Sequence, residues 1–119
     1  MKRTYKLYLN DILEAIERIE QYTRGLSFKD FSTNSMRIDA VVRNFEIIGE
    51  AAKQIPIEIK EKQDQIPWKE MAGMRDKLTH DYSGINNEIL WQTAKKRLPI
   101  LKPLIENLIE KADKPSIPS

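Results

Sequence analysis

The chain carries one histidine, and the residues around it are the ones best suited to chemistry: Arg75-Asp76-Lys77-Leu78-Thr79-His80-Asp81-Tyr82. They form the pattern R-x4-H-x-Y. Histidine is the one side chain whose unperturbed pKa lies near neutrality, so it can take or give a proton under physiological conditions. Arginine is a permanent, planar cation that matches phosphate. A base and a phosphate-binding cation are the minimum needed to cut a phosphodiester without a metal. Such a site favours RNA over DNA, because RNA supplies its own nucleophile, the 2′-OH. Asp76, four residues before His80, would share its helical face. A carboxylate there would fix the imidazole tautomer and raise its pKa.

Spacing alone does not complete this site. On an unbroken helix five residues turn by about 140°, so Arg75 and His80 do not share a face. Three arrangements bring them together: the arginine wraps round the helix, the helix unwinds near His80, or the two residues come from different subunits. The pattern R-x4-H also recurs by chance. A histidine at a helix end serves equally as a C-terminal cap. Taken by itself, the spacing favours a structural role.

The elements that would carry these residues are helical throughout. Tyr5, Tyr8, Ile12, Ala15, Ile19 and Tyr22 recur at steps of three and four, predicting a helix over residues 2–24 that stops at Gly25. Residues 26–33 read as a connector, after which Asn34 or Ser35 can cap a second helix. Ile38, Val41, Val42, Phe45, Ile48, Ala52 and Ile55 form its stripe. Pro56 ends it, and residues 57–65 form a short helix. Pro67 opens another at Trp68, which carries Met71, Met74 and Leu78 into the motif and stops by Gly84. Asn86 caps a last long helix lined by Leu90, Ala94, Leu98, Leu101, Ile105 and Leu108, with a kink expected at Pro99 and Pro103. The expectation is an all-α bundle of four main helices and one short one over residues 1–113, followed by a flexible tail over 114–119.

Composition bounds the rest. The length of 119 residues suits one domain. The absence of cysteine excludes disulfides, zinc thiolates and thiol nucleophiles. A single histidine excludes a histidine-rich metal site within one subunit, while carboxylates alone could still hold magnesium or calcium; the expectation is no metal and no cofactor. A formal charge of +2, from 20 basic and 18 acidic residues, permits nucleic acid without arguing for it. Neither a signal peptide nor a membrane span is visible, so the expected location is the cytoplasm.

Other residues have plainer readings. Arg43, Glu46 and Glu50 suggest an ion-pair ladder along one helix, or else a polar network bordering a cleft. Gly49 in mid-helix suggests a close helix–helix contact there. Lys95-Lys96-Arg97 suggests a solvated face able to attract an RNA backbone. Trp68 and Trp91 suggest packing rather than base stacking.

Several stretches, in order along almost the whole chain, sharpen the assignment: Tyr8-Leu9-Asn10-Asp11-Ile12-Leu13, Asp39-Ala40-Val41-Val42-Arg43-Asn44, Gly49-Glu50-Ala51-Ala52-Lys53, Ile66-Pro67-Trp68, Gly73-Met74-Arg75-Asp76-Lys77-Leu78-Thr79-His80-Asp81-Tyr82 and Leu90-Trp91. Together they resemble the HepT-like family of HEPN-domain proteins. The resemblance implies a HEPN-type helical bundle that forms a homodimer with a cleft at the interface. It implies a metal-independent endoribonuclease toxin of a type II toxin–antitoxin system, paired with a minimal nucleotidyltransferase antitoxin. Arg75 and His80 would be the catalytic residues, Asp76 a supporting one, and Tyr82 the tyrosine that the antitoxin modifies with AMP. The sequence departs from the family at Ser83-Gly84-Ile85-Asn86, which bears on local cleft shape. The alternative is a non-catalytic module that binds a nucleotide or a nucleotidyltransferase.

Overall fold

The computed structural model describes residues 4–80 and 86–113, with the side chains of Thr79 and His80 outside the description. Every regular element among the described residues is helical. Helix α1 spans Tyr5–Thr23 and buries Ile12, Ala15 and Ile19 of the expected stripe together with Leu9 and Ile16, while Tyr5, Tyr8 and Tyr22 are partly buried at its edge. The Thr23 hydroxyl is buried with them and donates back to the Ile19 carbonyl at 2.9 Å, so its burial leaves no orphaned polar group. Gly25 then turns the chain with φ +75°, a conformation that side chains with a Cβ resist.

The connector expected over residues 26–33 contains a short helix, α2, at Phe28–Ser32. Ser27 and Asp30 form a capping box: the Ser27 hydroxyl accepts from the Asp30 amide, and the Asp30 carboxylate accepts from the Ser27 amide. This cap satisfies the amides of a helix too short to be stable alone. Phe31 is fully buried, and its ring centroid lies 5.3 Å from that of Trp91. Burying such a side chain stabilises the fold by about 1.5–3 kcal/mol. The described residues therefore contain a short helix where only a connector was expected.

Helix α3, Ser35–Lys53, starts at Asn34, whose side chain accepts from the Arg37 amide at 3.1 Å. It is the central element and packs on α1 and on α5. Helix α4, Ile57–Lys62, buries none of its residues. Helix α5 spans Trp68–His80. Asn86 caps α6, Asn87–Gln92, by accepting from the Ile89 amide. A π-turn at Thr93–Arg97 joins α6 to α7, Leu98–Asp113.

The π-turn refines the expected kink. Pro99 lacks an amide hydrogen, and its ring crowds the carbonyl four residues back. The chain widens just ahead of it, with the Leu98 amide reaching the Thr93 carbonyl instead. Helix α7 returns along α1 and is tied to it by Lys102, which donates to Glu20 at 2.8 Å. That hydrogen bond raises the Lys102 pKa, with Glu17 and Glu106 adding to the effect and partial burial opposing it. No helix among the described residues is long and apolar enough to cross a membrane. The expected stop at Gly84 and the expected tail over 114–119 lie outside the described residues.

Candidate active site

Helix α5 carries the motif from Arg75 to His80, and its start is firmly set. Pro67 precedes it, and the Trp68 indole donates to the Gln63 carbonyl at 3.1 Å. Trp68, Met71 and Leu78 are buried, at positions that leave one gap in a regular stripe. The gap is Arg75. Steps of three and four from Trp68 through Met71 and Arg75 to Leu78 put the arginine on the face that packs against α3.

An arginine can stand there because of Gly49. A Cβ at Gly49 would lie 2.1 Å from Arg75 Cβ, 2.7 Å from the Met71 carbonyl oxygen and 3.1 Å from Arg75 Cα. The glycine therefore lets the two helices meet at Arg75 itself, as its mid-helix position suggested. The arginine stem is held against α3, while its side chain keeps 30% exposure. A cation whose stem is fixed and whose side chain keeps contact with solvent is prepared to bind an anion.

Asp76 sits beside it. Its Oδ1 accepts from Lys53 Nζ at 2.5 Å and from Arg75 Nη1 at 3.4 Å. The Lys53 hydrogen bond is the main cause of a lowered Asp76 pKa; partial burial opposes it, and the Lys53 and Arg75 charges reinforce it. Lys53 was not singled out from the sequence. The available signal was its position one turn beyond Gly49 on the same face of α3. The expected contact between Asp76 and His80 falls on a side chain outside the described residues.

Helix α5 is unbroken from Arg75 to His80. No unwinding lies between the two residues, and the stretch beyond His80, where Gly84 would allow it, lies outside the described residues. Their Cα directions differ by about 140° about the axis. Tyr82 lies outside the described residues, as do Ser83 and Gly84.

The remaining candidates separate from this site. Among the described residues, no ion pair joins Arg43 to Glu46 or Glu50, so the expected ladder is not formed. Glu50 instead lines an open groove with Tyr8, Asp11, Ile47, Ala51 and Gln54, on the side of α3 turned away from α5. Lys95 is structural: Nζ donates to the Thr23 carbonyl at 3.2 Å and lies 5.1 Å from the Trp91 ring centroid. It closes the end of α1. Lys96 and Arg97 are exposed. Trp68 is buried and Trp91 packs on Phe28 and Phe31, so both are packing residues as expected.

Comparison with known proteins now bears on this arrangement. The model of the family described as "Ribonuclease HepT-like" matches residues 12–108. The chain belongs to the HepT-like ribonuclease family. It is 51% identical over 108 residues to a protein of Thermococcus cleftensis named probable ribonuclease HepT, covering 91% of this chain and 98% of that one. It is 43% identical over 109 residues to a protein of Caldanaerobacter subterraneus subsp. tengcongensis provisionally named an RNase, covering 92% and 97%. A Methanocaldococcus jannaschii protein, named gamma-glutamylcyclotransferase and provisionally RNase, is 47% identical over 114 residues; the match covers 96% of this chain and 51% of that longer protein. No solved structure matches the chain. The HepT-like match takes in α3, α5 and every residue of the R-x4-H-x-Y motif.

Proposed function

We propose that this chain is a metal-independent endoribonuclease acting as the toxin of a type II toxin–antitoxin pair. One observation carries the reading. Arg75 takes a place in the buried stripe of α5, seated on Gly49, with its side chain 30% exposed, five residues ahead of His80. A half-buried helix contact is a costly place for an arginine that serves only solubility.

His80 acts as the proton acceptor for an RNA 2′-OH. The 2′-oxygen attacks the adjacent phosphorus, the P–O5′ bond breaks, and the 5′-oxygen takes a proton. The products are a 2′,3′-cyclic phosphate and a 5′-OH end. Arg75 binds the phosphate and stabilises the charge that builds on it.

The 140° offset on a continuous helix supports completion of the site by a second subunit. In that arrangement two copies of α5 line one cleft as a homodimer, and Arg75 of each copy works with His80 of the other. Tyr82 carries the off switch: AMP transferred to it by a nucleotidyltransferase antitoxin places a phosphate next to Arg75 and blocks RNA. The toxin and its partner act in the cytoplasm.

Expression of the wild-type chain without its antitoxin should arrest growth, whereas Arg75→Ala and His80→Ala should not. Equal toxicity of all three, or equal harmlessness, contradicts the reading.

A further inference from the structure

The Lys53–Asp76 pair ties the end of α3 to α5 directly beside Arg75. One oxygen, Asp76 Oδ1, takes both cations, and it takes them unequally. Lys53 Nζ is 2.5 Å away, closer than an ordinary charge-assisted N–H···O bond. Arg75 Nη1 is 3.4 Å away, at the outer edge of one. Asp76 is drawn to the lysine, although the arginine is its neighbour in the chain.

This matters because a carboxylate next to a phosphate-binding arginine is a competitor for it. Without Lys53, the nearest cation left to Asp76 is Arg75. We propose that Lys53 is a positioning residue of the active site: it engages Asp76 and thereby leaves the Arg75 guanidinium available to an RNA phosphate. The proposal rests on the reading of Arg75 as the phosphate-binding residue.

Two features make the assignment specific. Gly49 and Lys53 are one turn apart on α3, so the contact that seats Arg75 also brings Lys53 within reach of Asp76. The pair is also half-exposed, at 38% for Lys53 and 48% for Asp76. Exposed pairs contribute little to stability. A link between two helices that does little for stability, placed at the candidate catalytic arginine, points to the site rather than to the fold.

The charges yield a test. Lys53, Arg75 and Asp76 sum to +1. Lys53→Met leaves 0, with Arg75 and Asp76 free to close on each other. The double variant Lys53→Met/Asp76→Asn returns to +1 with Arg75 unpaired. The probe is a 2′-O-methyl oligoribonucleotide, which has no free 2′-OH and cannot be cleaved by this chemistry. Its binding is measured for the wild type, Lys53→Met, Lys53→Arg, the double variant and Lys62→Met. Lys62 lies on exposed α4 and serves as the control for loss of one positive charge.

Lys53→Met should bind about 10-fold more weakly, the loss of roughly one charge-assisted contact. Lys53→Arg, the double variant and Lys62→Met should stay within about 3-fold of wild type, a spread below the effect of one such contact. Melting temperatures should match throughout, which separates positioning from folding. The proposal is overturned if Lys53→Met binds like Lys62→Met. It is also overturned if the loss persists in the double variant, the result expected of a lysine that itself grips phosphate.

Cleavage of the unmodified oligonucleotide by the same proteins separates this inference from the ribonuclease reading. Loss and recovery of binding with no cleavage by wild type would sink the ribonuclease and leave the positioning role standing. A wild type that does not bind the probe overturns the positioning role, and one that also fails to cleave the unmodified oligonucleotide overturns both.

Discussion

Gly49→Ala is the substitution in which the fold and the site are most tightly coupled. Alanine is a better helix former than glycine, by about 1 kcal/mol in a helix interior. Propensity alone therefore predicts a more stable protein. The geometry predicts the reverse. The added carbon would lie 2.1 Å from Arg75 Cβ and 2.7 Å from the Met71 carbonyl oxygen. Ordinary carbon contacts are about 3.5–4.0 Å, so α5 must retreat by roughly 1.5 Å where it carries Arg75. Neither obstructing atom is the far end of a flexible side chain. Overpacking of this kind costs about 1–3 kcal/mol, and a contact this short belongs at the upper end. Offsetting the propensity gain leaves a net loss of about 2 kcal/mol, or some 6–12 °C in melting temperature for a chain of this size. Displacing the arginine by an ångström should also lower catalysis by about 100-fold.

The control lies on α5 itself. A Cβ at Gly73 meets nothing within 4 Å. Gly73→Ala should stabilise the protein by about 0.5–1 kcal/mol. Thermal denaturation at matched protein concentration reads both variants. A Gly49→Ala protein that melts as high as Gly73→Ala would refute the close-contact argument. One that melts low but cleaves RNA at the wild-type rate would refute the link from that contact to Arg75.

Two further predictions follow from individual contacts. Asp76 should titrate below the ordinary aspartate value of about 3.9, because Lys53 and then Arg75 stabilise its charged form. The sign follows from linkage: a depressed carboxylate adds stability above its unfolded-state pKa, and this is lost as pH falls through the folded-state value. NMR titration should show the midpoint rising in Lys53→Met, and an unchanged midpoint would show that Lys53 does not hold the carboxylate. Phe31→Ala should destabilise by about 3–5 kcal/mol, as expected for a fully buried aromatic ring. A loss under 1 kcal/mol in denaturant unfolding would show that α2 is peripheral to the core.

Much of this molecule was legible in its sequence, for reasons that differ by element. The stripes of α1 and α3 were readable because their apolar residues keep to steps of three and four without interruption. The caps at Asn34 and Asn86 were readable because a short polar side chain before an apolar run has one favoured use. Helix α2 was missed for lack of length: five residues show no period, although Ser27 and Asp30 carried the capping-box signal. A disturbance at Pro99 was anticipated, but as a kink; the structure absorbs the missing amide in a π-turn just ahead of the proline.

At the site, Gly49 announced a close contact but could not name its partner. Lys53 was hidden because an ion pair between helices has no spacing of its own. It follows from the register of α3 against α5, which Gly49 sets. The ladder expected of Arg43, Glu46 and Glu50 rested on spacing along one helix, and exposed side chains at such spacing are free to point elsewhere.

The central claim is that Arg75 and His80 cut RNA through its 2′-OH. The most direct measurement is cleavage of an oligoribonucleotide by purified protein in excess chelator, with the product ends identified by mass spectrometry. The account predicts 2′,3′-cyclic phosphate ends from wild type and a loss of at least about 100-fold in both Arg75→Ala and His80→Ala. Undiminished cleavage by either variant, or products ending in 3′-OH and 5′-phosphate, would contradict it.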